Sequence, residues 1–232
     1  MGAEHVSLVK KKYAQLHALS FVLRDEDLGK FKEITNSIDD MFTKFTEKIN
    51  YKLAVKHISL KSLRSLRENV NKEAYKLYKD HINNMDKIFE DVKNAVNDDY
   101  VTVLHGDCWT NNILFKYNDS NNLNKPISVR FIDFQIAKWG LPVLDIAWFL
   151  CTCSEKEVIE QLEDYLRLYH NSLAAHLIKL GSNPDKVYSH SVFLKQRRKY
   201  ARFGLTLAVS IIYLLLSDES EAVNLDNVAE AV

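Results

Sequence analysis

The sequence predicts an α+β fold that is mostly helical and contains one small β-hairpin. Apolar residues recur at the 3.6-residue spacing of amphipathic helices through the first hundred residues and again after Pro142. Two β-rich runs, Ile113 to Tyr117 and Ile127 to Phe134, lie between these helical halves. Strands and helices do not alternate along the chain, so a parallel sheet built from βαβ units is not expected.

The first hundred residues are predicted to be helical. The clearest helix covers residues 5–24, whose apolar side chains fall on one face. A second periodic segment runs from about Phe31 to Leu53, and a third runs from Ser59 to Val96. No proline precedes Pro126, so proline does not interrupt these segments.

The sequence changes character at Tyr100, where the β-favouring run Val-Thr-Val-Leu leads into His-Gly-Asp. Residues 118–125 join the two β-rich runs, and their Asn, Asp and Ser side chains favour a turn. We therefore expect an antiparallel hairpin with functional residues at both of its ends.

Helices return after Pro142. The helical period covers Leu144–Cys151, Lys156–Leu180 and Val187–Leu216. Residues 181–184, with the sequence Gly-Ser-Asn-Pro, mark the break before the last of these segments.

The composition is that of a folded globular protein. The 232 residues are 47% hydrophobic and 27% charged, with 31 Lys and Arg against 31 Asp and Glu. We assign residues 1–216 to one folded lobe and the acidic residues 217–232 to a frayed tail. Neither half is a basic arm, and the basic run from Lys195 to Arg202 is interpreted as a solvated helix face, so no nucleic-acid partner is expected.

Neither a membrane segment nor a secretory signal is predicted. The longest apolar stretch, Phe203 to Leu216, is interpreted as a buried core helix because its 14 residues fall short of the roughly 20 that span a bilayer. The N-terminus lacks the layout of a signal peptide, and the three cysteines form no C-x-x-C pair. We therefore expect a cytoplasmic protein without a membrane partner.

Three side chains could carry chemistry: Asp107, Asn112 five residues later, and Asp133 at the end of the second β-rich run. Phosphoryl transfer needs a carboxylate to deprotonate the attacking hydroxyl and oxygen ligands for Mg²⁺. A hairpin between Asn112 and Asp133 returns the chain, so we expect these groups to lie side by side. The six glycines allow neither a G-x-G-x-x-G nor a P-loop pattern, so dinucleotide-binding and P-loop folds are excluded.

The segment 101–150 resembles the ecdysteroid kinase-like family, also called CHK kinase-like. The resemblance rests on His-Gly-Asp-x-Trp-x-Asn-Asn at 105–112, Asp-Phe-Gln at 133–135 and Pro-x-x-Asp at 142–145, in that order. The helix around residues 16–20 also resembles the one that opens the second lobe in such proteins. The family is a branch of the aminoglycoside phosphotransferase and choline kinase group, which has a protein-kinase-like fold.

The resemblance implies a role for each candidate residue. Asp107 would be the catalytic base, while Asn112 and Asp133 would bind Mg²⁺ and, through it, ATP. The other implied roles are structural: His105 and Gly106 would shape the loop, and Asp145 would brace it.

Two of the surrounding residues also have simpler interpretations. Asp145 follows Leu-Pro-Val-Leu and precedes an apolar run, which suits a helix N-cap. His17 lies within an apolar helix and is expected only to pack there.

The resemblance further implies that the chain is the C-terminal lobe alone, without the N-terminal lobe that clamps ATP. No Gly-rich kinase loop can be written, and Lys10, Lys11 and Lys12 lie on a helix, where they replace a strand-borne lysine poorly. The expected function is an ATP-dependent phosphotransferase, here truncated, that acts on a hydroxyl of a small hydrophobic, ecdysteroid-like molecule. The alternative is a non-catalytic one-lobed relative that serves as a ligand-binding or regulatory module.

Overall fold

A computed structural model describes residues 1–38, 44, 50–119 and 121–216. This part of the chain is mostly helical and contains two small antiparallel β-ribbons, which confirms the predicted α+β class. The predicted tail at 217–232 lies outside the described residues.

The helices of the described residues are numbered in chain order. They are α1 (Ala3–Glu26), α2 (Leu28–Ser37), α3 (Tyr51–Leu63), α4 (Lys72–Asn83), α5 (Met85–Asn94), α6 (Pro142–Cys153), α7 (Lys156–Glu160), α8 (Leu162–Lys179), α9 (Pro184–Val187), α10 (His190–Tyr200) and α11 (Arg202–Leu216).

The periodic segment 59–96 is three helices and not one. The first break lies between α3 and α4 and ends at Asn71. The Asn71 side chain accepts from the Arg67 N–H, and the Asn71 N–H donates to the Arg67 carbonyl. Asn84 makes the second break by donating its side-chain amide to the carbonyl of Asp80, at 2.8 Å. Short polar side chains that bond to nearby backbone compete with the helix in this way, and an apolar periodicity does not reveal them.

The strands form two separate ribbons. Strands β2 (Ile113–Tyr117) and β3 (Pro126–Phe131) pair antiparallel, with Ile113 opposite Phe131, which confirms the predicted hairpin. The second strand ends at Phe131 and not at the predicted Phe134, so Asp133 lies beyond the strand. Strand β1 (Thr102–Leu104) pairs with β4 (Lys138–Gly140), a partner that the sequence analysis missed. Three residues are too few to show an alternating pattern. The second ribbon brings the chain after Asp133 back beside the chain before His105.

The helical core packs around α1 and α6. Helix α1 lies along α8, and α11 lies along α6. A side chain at Gly204 would meet the carbonyl oxygen of Ala147 at 2.5 Å, so glycine is required where α11 crosses α6. The apolar stretch predicted as a buried core helix is α11. Its first half is buried at Phe203 and Leu207, whereas Leu215 and Leu216 at its end are exposed, so the prediction holds only for the first half. Within the described residues, no helix has the length and hydropathy to cross a membrane.

Candidate active site

The loop between β1 and β2 requires glycine at its second position. Gly106 has a φ of +81°, a backbone conformation that side-chain-bearing residues rarely adopt. A Cβ at this position would also lie 2.5 Å from the carbonyl oxygen of Ile136. Both the left-handed backbone and the close approach of the segment after β3 therefore exclude a side chain here.

His105 connects this loop to the chain that follows β3. Its Nε2–H donates to the carbonyl of Ile132 at 2.9 Å, and its Nδ1 accepts from the N–H of Asp107 at 3.3 Å. Its ring lies 4.3 Å from that of Phe134. His105 is fully buried, so its contacts shape the loop, as the resemblance implies.

Asp107 and Asn112 are in direct contact. The Asn112 side-chain amide donates to the Asp107 carbonyl at 2.8 Å and to its carboxylate at 3.2 Å. A short 3₁₀ turn, Thr110–Asn112, closes the five-residue spacing between the two residues. The Asp107 carbonyl oxygen and its carboxylate oxygen can only accept, so the side-chain nitrogen of Asn112 faces them. The Asn112 Oδ1 therefore points away from Asp107.

Asp133 lies two residues beyond the end of β3 and has a left-handed φ of 60°. The preceding residue, Ile132, donates its N–H to the Asn112 carbonyl at 3.0 Å, which joins the two halves of the site. The Asp133 side chain is exposed, whereas Asp107 is half-buried.

The ionisation of Asp107 reflects this environment. Burial raises the pKa of the Asp107 carboxyl above its ordinary value, and the negative charge of Asp133 adds to the increase, while the hydrogen bond from Asn112 opposes it. The two carboxylates are thus close enough to interact. Taken together, the hairpin and its flanking loops bring Asp107, Asn112 and Asp133 into one region.

Asp145 holds the loop between β1 and β2 through hydrogen bonds from the loop backbone. Its carboxylate is 2% exposed and accepts from the backbone N–H of His105 at 2.9 Å and of Gly106 at 3.0 Å. The N-cap interpretation of Asp145 is wrong, because α6 begins at Pro142 and Asp145 lies one turn inside it. One turn in, the side chain points at the loop and not at the free N–H groups of its own helix.

Sequence analysis missed two residues behind Asp145. His17 was expected only to pack, yet its Nε2 lies 3.2 Å from the Asp145 Oδ2 and its Nδ1 lies 2.8 Å from the Tyr169 hydroxyl. The sequence does place His17 at helical spacing between Tyr13 and Phe21, on the face of α1 that is buried. That spacing alone does not identify a partner 128 residues away.

Tyr51, at the start of α3, is a third residue that sequence analysis did not identify. Burial raises the pKa of its hydroxyl to about 12, the hydrogen bond with Ser210 opposes this, and the charge of Asp107 adds to it. The Tyr51 hydroxyl on α3 therefore lies within reach of the Asp107 charge and bonds to Ser210 on α11. The Tyr51 ring also meets Phe89 edge-on at 6.5 Å.

Lys10 does not serve as a phosphate-binding lysine at this site. Its side chain is fully buried on α1, its ammonium nitrogen lies 6.0 Å from the centre of the Tyr169 ring, and it has no hydrogen-bond partner among the described residues. Burial lowers the pKa of Lys10 well below its usual value.

The candidate metal ligands are oxygen atoms only. In the described ranges, no three or more His, Cys, Asp or Glu side chains cluster as a metal site would require. This finding does not conflict with Mg²⁺, which uses one or two protein oxygens together with phosphate oxygens and water.

Comparison with known proteins identifies a family for this chain. The family model described as ecdysteroid kinase-like matches residues 1–182, which include the β1–β2 loop, the hairpin and Asp145. Neither the curated proteins nor the solved structures contain a match. Since the matched range is most of the 232 residues, the chain belongs to the ecdysteroid kinase-like family.

Proposed function

We propose that this chain carries the phosphoryl-transfer centre of an ATP-dependent kinase that acts on a hydroxyl of a small hydrophobic, ecdysteroid-like molecule. Membership of the ecdysteroid kinase-like family indicates a kinase-like phosphotransferase. The observation that carries the proposal is the contact between Asp107 and Asn112 in a loop joined to the Asp133 segment.

Asp107 is the proposed catalytic base. As the acceptor oxygen bonds to the γ-phosphorus of ATP, the bond from that phosphorus to the β–γ bridging oxygen breaks and ADP leaves with the electron pair. The acceptor O–H bond breaks in the same step, and its proton passes to the Asp107 carboxylate. Burial raises the pKa of this carboxyl, which makes it a stronger base than an exposed aspartate. The Asn112 amide holds the carboxylate in place through the transfer.

Asn112 and Asp133 are the proposed Mg²⁺ ligands. The Asn112 Oδ1 is not needed by Asp107, and the Asp133 carboxylate is exposed, so both oxygens are available to a cation. The repulsion between Asp107 and Asp133 favours a cation near them. When bound, Mg²⁺ would neutralise charge on the β- and γ-phosphates of ATP.

The proposed acceptor is apolar with hydroxyl groups, which suits the surroundings of Tyr51. The Tyr51 hydroxyl bonds to Ser210 and lies within reach of the Asp107 charge, and the Tyr51 ring meets Phe89 edge-on. Such a combination of apolar surface and a few placed polar groups is typical of small-molecule sites.

The test is ADP formation from ATP and Mg²⁺ with a panel of polyhydroxylated sterols, compared with Asp107→Asn. We expect acceptor-dependent ADP release that falls by about 10²–10⁴ in the variant. Equal release from both proteins would reject Asp107 as the base. If the folded wild-type protein binds a sterol but releases no ADP, the result would favour the alternative of a non-catalytic ligand-binding module.

A further inference from the structure

A chain of buried hydrogen bonds runs from α8 through α1 and α6 to the catalytic loop. Tyr169 bonds to His17 at 2.8 Å, His17 bonds to Asp145 at 3.2 Å, and Asp145 accepts from the loop N–H groups at 2.9 and 3.0 Å. Tyr169 and His17 are completely buried, and Asp145 nearly so. We call Tyr169, His17 and Asp145 the buried relay.

The direction of these hydrogen bonds follows from the chemistry of the three groups. Both oxygens of the Asp145 side chain accept from the backbone N–H groups of the loop, so the Nε2–H of His17 donates to Asp145 as well. Burial raises the pKa of the Tyr169 hydroxyl well above its usual value, so this group keeps its proton. With the His17 proton on Nε2, Tyr169 therefore donates to the His17 Nδ1.

The tyrosine thereby selects the imidazole tautomer. An imidazole carrying its proton on Nδ1 would turn a lone pair on Nε2 towards the Asp145 carboxylate, which is repulsive. A donor at Nδ1 prevents this arrangement. Asp145 thus has three donors for its charge, two from the loop backbone and one from His17, as a buried carboxylate requires.

We propose that His17 and Tyr169 are positioning residues, which fix the Asp145 carboxylate so that it holds the backbone of His105 and Gly106. They touch neither substrate nor metal. Their effect on catalysis rests on the proposed function, because it acts through Asp107, the next residue in the loop. Their effect on the loop itself does not rest on that function and is measured separately.

The first experiment measures backbone hydrogen exchange by NMR in Tyr169→Phe. This variant removes one hydroxyl and keeps the ring. We expect the amides of His105 and Gly106 to exchange at least 10-fold faster than in the wild type, relative to the amides of α6 and α8. Tyr188→Phe is the matched control, since it removes another fully buried tyrosine hydroxyl, bonded to Gln196 at 2.7 Å and not to the relay.

Two substitutions of His17 separate positioning from packing. His17→Phe keeps a ring but donates nothing, so we expect fast exchange at the two loop amides. His17→Gln retains an N–H donor for Asp145 and is expected to restore slow exchange at least in part. Unchanged exchange at both amides in folded His17→Phe or Tyr169→Phe would overturn the proposal, as would an equal effect of Tyr188→Phe.

Activity then tests the link to catalysis. In an active kinase, we expect Tyr169→Phe to lower kcat about 10-fold or more while the KM for ATP stays within twofold. If loop exchange changes but no variant, including the wild type, phosphorylates any acceptor, the positioning role stands and the proposed function fails. If kcat is unchanged despite faster exchange in a working kinase, the catalytic part of the proposal is rejected.

Discussion

Asn112 contacts Asp107 at two points, donating its side-chain amide to the Asp107 carbonyl at 2.8 Å and to its carboxylate at 3.2 Å. The first bond fixes the backbone of the loop and the second fixes the side chain. One residue therefore sets both the position and the basicity of the proposed catalytic carboxylate.

Removing the Asn112 amide is expected to raise the pKa of Asp107. The hydrogen bond from Asn112 lowers that pKa against the effect of burial, so Asn112→Ala leaves burial less opposed. We also expect a loss of about 1–2 kcal/mol in the free energy of unfolding, because the Asp107 carbonyl loses a donor. Carboxyl ¹³C NMR titration measures the pKa. Asn111→Ala, at the exposed neighbouring position, is the control. An Asp107 pKa in Asn112→Ala equal to that of the wild type would contradict the account.

Asp107→Asn is expected to stabilise the protein slightly at neutral pH. A carboxyl whose pKa is raised on folding destabilises the folded state once it ionises, so its removal helps above its unfolded pKa near 4. We expect a melting temperature about 1–2 °C higher at pH 7, with the gain vanishing below pH 4. Thermal unfolding at both pH values checks this, with exposed Asp25→Asn as the control. A gain that persists at pH 3 would show a cause other than ionisation.

Gly106→Ala and Gly181→Ala distinguish backbone strain from steric contact. Both glycines have positive φ, at 81° and 88°. A Cβ at Gly181 meets nothing within 4 Å, whereas one at Gly106 meets the Ile136 carbonyl oxygen at 2.5 Å. We expect Gly181→Ala to cost about 1–2 kcal/mol and Gly106→Ala at least about 1 kcal/mol more. Urea unfolding of both variants measures this, and equal costs would show that the loop gives way freely.

His81 is expected to make the fold sensitive to acid. Burial, and then the charge of Arg202, lower the pKa of His81 from 6.5 to about 4. Below pH 6.5 the unfolded chain binds a proton at His81 that the folded protein does not bind until about pH 4. The free energy of unfolding is therefore unaffected above pH 6.5 and falls by about 2 kcal/mol as the pH drops towards 4. Urea unfolding between pH 7 and 4.5 should show a smaller loss in His81→Gln than in the wild type. His57→Gln, which alters an exposed histidine, is the control. If the free energy of unfolding falls equally in His81→Gln and His57→Gln between pH 7 and 4.5, His81 is excluded as the cause.

Local patterns predicted the parts of the fold that depend on local physics. The hairpin follows from β-favouring runs on either side of a polar turn, and the loop residues Asp107 and Asn112 are close in sequence as well as in space. Strand β4 was not predictable, because three residues acquire strand geometry only by pairing with β1.

Long-range polar contacts were the main omission. His17 and Tyr169 are 152 residues apart, and each has an ordinary place on an apolar helix face. Their pairing depends on how α1 and α8 pack, which periodicity does not specify. The same holds for Asp145, whose role as a brace followed from the resemblance, while its sequence context favoured an N-cap.

The most direct test of the central claim is paramagnetic broadening by Mn²⁺, which substitutes for Mg²⁺, in the presence of ATP. We expect selective loss of the backbone NMR signals around Asn112 and Asp133 at low Mn²⁺ concentration. The broadening should disappear in Asp133→Asn and persist in Asp119→Asn, an exposed aspartate in the turn region of the same hairpin. Broadening that survives Asp133→Asn, or that never selects this loop, would contradict the assignment of a metal-assisted phosphoryl-transfer site.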